Sequence, residues 1–302
     1  MSGVKIKDVP IPTPGPRDLL VKVTAASLCH SDFSSIFGEE TPMPLKKHLI
    51  PGHEACGIVV EAGPIASSQY GFAKGDRVGA DASANMCLKC ADCTEFGPQF
   101  CLTKDFLGFS EDGFFAEYAI FDAATAVKIP EEFGGKNMAS VAPILCAGIT
   151  VWDALTRAGA PRLKKGDWVG IVGCGGLGSF LSGIALIVGH MAVQYANALG
   201  YRTLAVDIKD KQLEFVKTLG ATATLNPKNV NDVHKAAEEI TGTRGVHVAL
   251  TTSGVAAVYK TAFQITRSHG RIVAIGIARD PLPLKPDDII IDCKEYESCG
   301  DV

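Results

Sequence analysis

Cys87-Leu-Lys-Cys90-Ala-Asp-Cys93 and Cys101 place four thiols within fifteen residues, a spacing that can close a tetrahedron around one metal ion. Thiolates are soft ligands that hold Zn2+ at about 2.3 Å, and four of them leave no open coordination position, so the lobe reads as structural and not catalytic. Two disulfides or four unrelated buried cysteines are the alternatives. Met1 to Asp8 carries two lysines and an acid, and nothing in it resembles a secretion signal. A reducing, cytoplasmic compartment is therefore expected, which favours the metal.

A second chemistry is written in Gly173-Cys-Gly175-Gly176-Leu177-Gly178, which follows the apolar run Trp168–Val172 and opens a predicted helix. There the first glycine makes a tight turn, the second admits a pyrophosphate, and the helix N-terminus supplies amides and partial positive charge. Glycine-rich packing without a ligand is the alternative. Asp207 ends the second predicted strand, where a carboxylate accepts hydrogen bonds from ribose hydroxyls and repels a 2′-phosphate, favouring NAD over NADP.

The spacing to that acid is long. Asp207 lies 29 positions beyond Gly178, against about 20 in the usual fingerprint. The surplus is Ser179 to Gly189, or the same window moved on by one; its removal joins Gly178 to a helix ending at Leu199-Gly200. Eleven helical residues return nearly to the starting face while adding roughly 16 Å, so the insert is expected to project apolar surface beyond the sheet. Unusual splicing, or an error in the gene's assigned exons, is the preferred origin. Trp168 to Tyr201 contains no Asp, Glu, Lys or Arg and would pass a hydropathy scan for a membrane span. Such a span would swallow the glycines of the turn, so no membrane association is expected.

The elements that must position these residues differ between the two halves. From Val4 to about Ala119 short β segments, such as Leu19–Thr24 and Gly57–Glu61, are broken by Pro and Gly clusters. After Pro143 apolar runs at 168–172, 203–207, 246–250 and 271–275 alternate with helical patterns, including Leu213, Val216 and Leu219 ahead of Gly220. That alternation predicts a parallel sheet covered by helices. A length of 302 residues, 47% of them apolar, suits two domains. A net charge of −4 with mixed signs gives no basic patch for nucleic acid and no polybasic membrane anchor.

Cys29-His30-Ser31-Asp32, Gly52-His53-Glu54 and Ile144-Leu-Cys146-Ala-Gly-Ile-Thr150 each contain a zinc-ligand type. With the cysteine lobe and the glycine turn, they make the chain resemble the zinc-dependent, medium-chain alcohol dehydrogenases, particularly their yeast-like microbial branch, from about Val9 to Ile290. The resemblance implies an α/β fold: a mainly β GroES-like catalytic domain over 1–145 with its zinc lobe at 84–104, and a Rossmann NAD-binding domain over 146–291. It makes Cys29, His53 and Cys146 the ligands of a catalytic zinc, beside the structural zinc of Cys87, Cys90, Cys93 and Cys101. Ser31 becomes the hydroxyl that bonds the alcohol oxygen, Asp32 the acid that holds His53, Glu54 the carboxylate behind the metal, and His30 a residue near the cofactor pyrophosphate. Two positions depart from the family. Ser34 stands where many relatives have a relay histidine, and the family's ribose lysine falls on Gln212, with Lys211 adjacent.

Relatives typically begin with an extra β segment and end with a return into the catalytic domain. Neither is expected here, and 292–302 reads as a polar tail unlike the family. The resulting expectation is uncovered β edges, lowered stability and weak or no turnover, with the family's homo-oligomer placed in doubt. The sequence thus supports an NAD-dependent enzyme interconverting small alcohols with aldehydes or ketones. A non-catalytic, zinc-stabilised remnant of that family is the alternative.

Overall fold

Aliphatic and polar residues alternate along the first half of the chain, and the alternating runs pair as antiparallel strands with one face buried. The computed structural model describes residues 4–37, 44–134, 138–158, 163–174, 186–278, 281–282 and 293–298. It divides into two units, the first spanning Met1–Cys146 and the second Ala147–Gly300.

The first unit contains β1 (Asp18–Ala26), β2 (Ala55–Ala62), β3 (Arg77–Ala80), β4 (Ser83–Ala84), β5 (Asp105–Phe106), β6 (Tyr118–Asp122) and β7 (Val127–Lys128). Short helices α1 (His30–Phe37), α2 (Pro64–Ser68) and α3 (Ala91–Glu95) lie between them, and α4 (Glu131–Gly134) follows β7. Five strands form an antiparallel sheet in the order β6-β1-β2-β3-β7, and β4 pairs with β5 apart from it. Leu19, Val21, Val59, Val78, Phe114 and Phe121 form its buried core. The pairing of β1 with β2 ends at Ala26 opposite Ala55. Cys29 follows the first of these strands and His53 precedes the second, so the register itself brings the two together.

The second unit contains α5 (Ala147–Asp153), β8 (Trp168–Val172), α6 (Leu186–Ala198), β9 (Arg202–Val206), α7 (Asp210–Thr218), β10 (Ala223–Leu225), α8 (Val233–Thr241), β11 (Val246–Thr251), α9 (Ala256–Ile265), β12 (Thr266–Ala274) and β13 (Glu295–Ser298). Its six strands form a parallel sheet in the order β10-β9-β8-β11-β12-β13. The order reverses at β8, the switch point beside which such sheets open a ligand crevice. Every residue of β8 is buried, as a central parallel strand covered on both faces requires.

Two strands escaped the sequence reading. β10 has only three residues. β13 falls in the stretch read as a polar tail, yet it extends the sheet: Tyr296 packs into the core while Glu295 accepts from Arg271 Nη2 at 2.9 Å. The tail is polar because one face of this edge strand meets a cation. The apolar stretch 168–201 resolves into β8 and α6, with 175–185 outside the described residues. Among the described residues no single helix is long and apolar enough to cross a membrane, although one bent pair, Met138–Leu145 with Ala147–Arg157, meets the length and composition test. Most of the proposed insert, 179–185, also lies outside the described residues, and its last four positions form the first turn of α6.

Candidate metal centres and cofactor turn

Gly52 explains how His53 is presented. Its φ is +96°, and a Cβ there would meet the Phe115 ring at 2.5 Å, so a glycine must precede this candidate ligand. His53 is 1% exposed and lies against Phe109, with ring centroids 5.3 Å apart. Its Nδ1 faces Asp32 Oδ1 at 2.8 Å, and the other Asp32 oxygen accepts the Cys29 backbone N–H at 2.8 Å. One fully buried carboxylate thereby orients two candidate ligands. Cys146 follows the turn Ala142–Leu145, which is anchored by packing of Val141, Ala142 and Leu145 on Cys56 and Ile129.

The ligand atoms of Cys29, His53 and Cys146 lie within 4.8 Å of one another. The two sulfurs are 3.9 Å apart, and the buried His53 Nε2 has no hydrogen-bond partner. An orphaned imidazole nitrogen among two thiols is costly unless something binds it, and a divalent metal fits this donor set. The charges agree. Cys146 beside it and His53 hold the Cys29 thiol well below the ordinary range despite burial, while the Cys29 thiolate and burial push Cys146 well above it. Burial opposes a charge on His53, but Asp32 and the Cys29 thiolate override it and raise the imidazole well above its usual value. Glu54 is 2% exposed, and burial followed by the Cys29 charge lifts its carboxyl to about 7. Ser31 Oγ lies 3.9 Å from Cys29 Sγ. His30 is exposed at the start of α1, and Ser34 lies within the same helix.

Cys87, Cys90, Cys93 and Cys101 form a second cluster whose sulfurs also lie within 4.8 Å of one another. Backbone amides already point at them: Cys87 N–H donates to Cys101 Sγ at 3.3 Å, and Cys93 N–H to Cys90 Sγ at 3.5 Å, capping α3. Such bonds stabilise thiolates, the form a metal takes. The Thr103 hydroxyl and the Cys87 amide draw Cys101 down to about 6, whereas burial and its cysteine neighbours push Cys93 up to about 12. No disulfide joins the described cysteines, and the nearest pair here, Cys90 and Cys93, stands 3.4 Å apart, far beyond a bonded distance of about 2.05 Å.

In the second unit the C-terminal ends of β8, β9 and β11 align, with Val172 opposite both Val206 and Thr251. Gly173 then turns with φ of +101°, its N–H donating to Val206 O at 2.8 Å. Asp207 is buried beside it at the end of β9 and accepts the Lys209 N–H at 2.9 Å. Lys211 is exposed on α7. Gly175, Gly176, Leu177 and Gly178 lie outside the described residues.

Two family models match, one described as the alcohol dehydrogenase GroES-like domain over residues 15–131 and one as zinc-binding dehydrogenase over 188–299. An alcohol dehydrogenase of Moraxella sp. (strain TAE123) is 37% identical over 243 residues, covering 80% of this chain and 66% of that protein. The chain belongs to the zinc-dependent medium-chain alcohol dehydrogenase family. A second alcohol dehydrogenase, from Geobacillus stearothermophilus, is 36% identical over 79% of this chain and 65% of its own length. The chain thus spans about two thirds of these relatives. The crystal structure of the alcohol dehydrogenase from Aeropyrum pernix superposes with a TM-score of 0.83 at 26% identity, covering 98% of this chain and 82% of the other. A protein from Sinorhizobium meliloti 1021, classed as a zinc-binding dehydrogenase and bound to NADP, gives 0.78 at 29% identity over 97% and 79% of the two chains. The family's zinc-binding dehydrogenase match extends to residue 299 and so includes β13, correcting the reading of that segment as foreign to the pattern.

Proposed function

We propose that this chain is an NAD-dependent, zinc-dependent alcohol dehydrogenase that interconverts primary or simple secondary alcohols with aldehydes or ketones. The Cys29, His53 and Cys146 cluster carries the reading: three donors converge while leaving a fourth position for substrate, the arrangement of a catalytic zinc. Zinc bound there acts as a Lewis acid that lowers the pKa of the alcohol hydroxyl. A nicotinamide dinucleotide, held by the glycine turn and Asp207, would supply the acceptor for the carbinol hydride. Asp32 fixes the His53 ring with Nε2 toward the sulfurs. Ser31 Oγ bonds the alcohol oxygen and takes its proton outward, and Glu54 sits behind the metal.

Cys87, Cys90, Cys93 and Cys101 hold a second, structural zinc, closed to substrate by its four sulfurs. In the dinucleotide half, Gly173, Gly175, Gly176 and Leu177 serve the pyrophosphate. Asp207 accepts the ribose hydroxyls and disfavours a 2′-phosphate, selecting NAD, and Lys211 contributes at the ribose. The GroES-like half is read as residues 1–145, and the NAD-binding half, read from the sequence as 146–291, runs on through β13. Thiolate-rich metal sites suit a reducing compartment, here the cytoplasm.

Metal analysis combined with an alcohol panel tests this. Two zincs per chain and NAD reduction with ethanol or 2-propanol, at a low rate, are expected. One zinc and no turnover with any alcohol, in folded protein, would refute the reading.

A further inference from the structure

α6 buries one stripe, formed by Gly189, Ala192, Val193 and Ala196. The last three pack into the core around Val169, Ile171 and Ala205. The stripe ends at the cofactor turn. A Cβ on Gly189 would lie 2.5 Å from Gly173 O and 2.9 Å from Cys174 Cα. Both atoms are backbone, held by the Gly173 N–H bond to Val206 O at 2.8 Å, so neither can yield to a side chain. Close approach of helix to strand is the task of the third glycine in a dinucleotide fingerprint.

We propose that Gly189, and not Gly178, is the positioning residue that seats α6 against the cofactor turn, so that residues 178–188 are the surplus in the dinucleotide fingerprint. This rests on the dinucleotide reading above. Two further observations agree with it. Asp207 lies 18 positions beyond Gly189, which restores the spacing of about 20 that the fingerprint requires. The zinc-binding dehydrogenase family match begins at residue 188. Counted from Gly189, helix and ribose acid keep the ordinary spacing of the fingerprint.

Removing 178–188 or 179–189 gives the same shortened chain, so deletion cannot assign the role; substitution can. In the full-length zinc-loaded protein, Gly189→Ala is expected to weaken NADH at least tenfold, read by its fluorescence enhancement and blue shift, with the cobalt spectra of the metal centres unchanged. Gly178→Ala is expected to stay within twofold of the parent. Loss of the NADH signal in Gly178→Ala, or none in Gly189→Ala, overturns the proposal. Should Gly189→Ala not accumulate as folded protein, the Gly178→Ala result decides alone. A parent that binds no NADH refutes the dinucleotide reading. The proposal is then read from melting temperature, which Gly189→Ala lowers and Gly178→Ala leaves in place; the reverse pattern overturns it.

Discussion

Asp32 and His53 meet through a 2.8 Å contact between Oδ1 and Nδ1, both side chains withdrawn from solvent. Because the second Asp32 oxygen holds the Cys29 amide, the carboxylate governs two of the three converging candidate ligands at once. Such outer contacts fix ring orientation and basicity, and losing one typically costs 10–100-fold in metal affinity.

Asp32→Asn keeps the shape but removes the charge and forces one oxygen to become an amide. Zinc at the Cys29 site is expected to weaken by about 10–100-fold, while the four-cysteine lobe keeps its metal. Competition with a chromophoric chelator measures both sites; equal weakening of the two, or of neither, contradicts the assignment.

The lobe has its own control. Cys101 is the sulfur drawn furthest down, to about 6, through Thr103 and the Cys87 amide. Cys101→Ser is expected to release one zinc per chain and to lower the melting temperature, because metal binding is folding free energy for a cluster of this kind. Mass spectrometry under native conditions counts the zinc. Retention of both metals in this variant would exclude Cys101 as a ligand.

Legibility in the sequence followed distance along the chain. The lobe and the turn at Gly173 are local patterns, and β8, β9 and β11 announce themselves as apolar runs. β13 does not, since its glutamates make sense only opposite Arg271 on β12. Cys29 and Cys146 are 117 positions apart, and their partnership came from family likeness and not from spacing. The part proposed for Gly189 was invisible for a related reason: either of two glycines can close the same motif in the sequence, and the close approach of Gly189 to the Gly173 backbone is a feature of the fold alone.

Arg17 and Asp122, 105 positions apart, gave no sequence signal either. Arg17 donates from Nε and Nη2 to the two Asp122 oxygens at 2.9 and 2.7 Å. Asp122, 2% exposed, also accepts amides from Asn85 and Ala124, and Arg17 reaches Met86 O at 3.2 Å. The pair ties β1 and β6 to the entry of the zinc lobe. Arg17→Met leaves a buried carboxylate without its cation and is expected to cost about 3 kcal/mol. Urea denaturation of the zinc-loaded protein measures it; a change below about 0.5 kcal/mol, ordinary for a surface site, would show the pair to be incidental.

Zinc uptake by Cys29, His53 and Cys146 is expected to strengthen as pH rises. In the metal-free chain the neighbouring thiolate and burial hold the Cys146 proton well above the usual thiol range. Burial disfavours the His53 cation, but Asp32 and the Cys29 thiolate outweigh it, so the imidazole also keeps its proton to higher pH. A metal must displace both protons, and each displaced proton makes the association constant rise about tenfold per pH unit while that group stays protonated. Affinity therefore climbs by up to about a hundredfold per unit through neutrality and levels off once both groups have lost their protons unaided. Cobalt titrations of the Cys101→Ser protein at pH 6, 7 and 8 isolate this site, with the thiolate-to-cobalt charge-transfer band as signal. A pH-independent constant would mean that the two raised groups do not bind the metal.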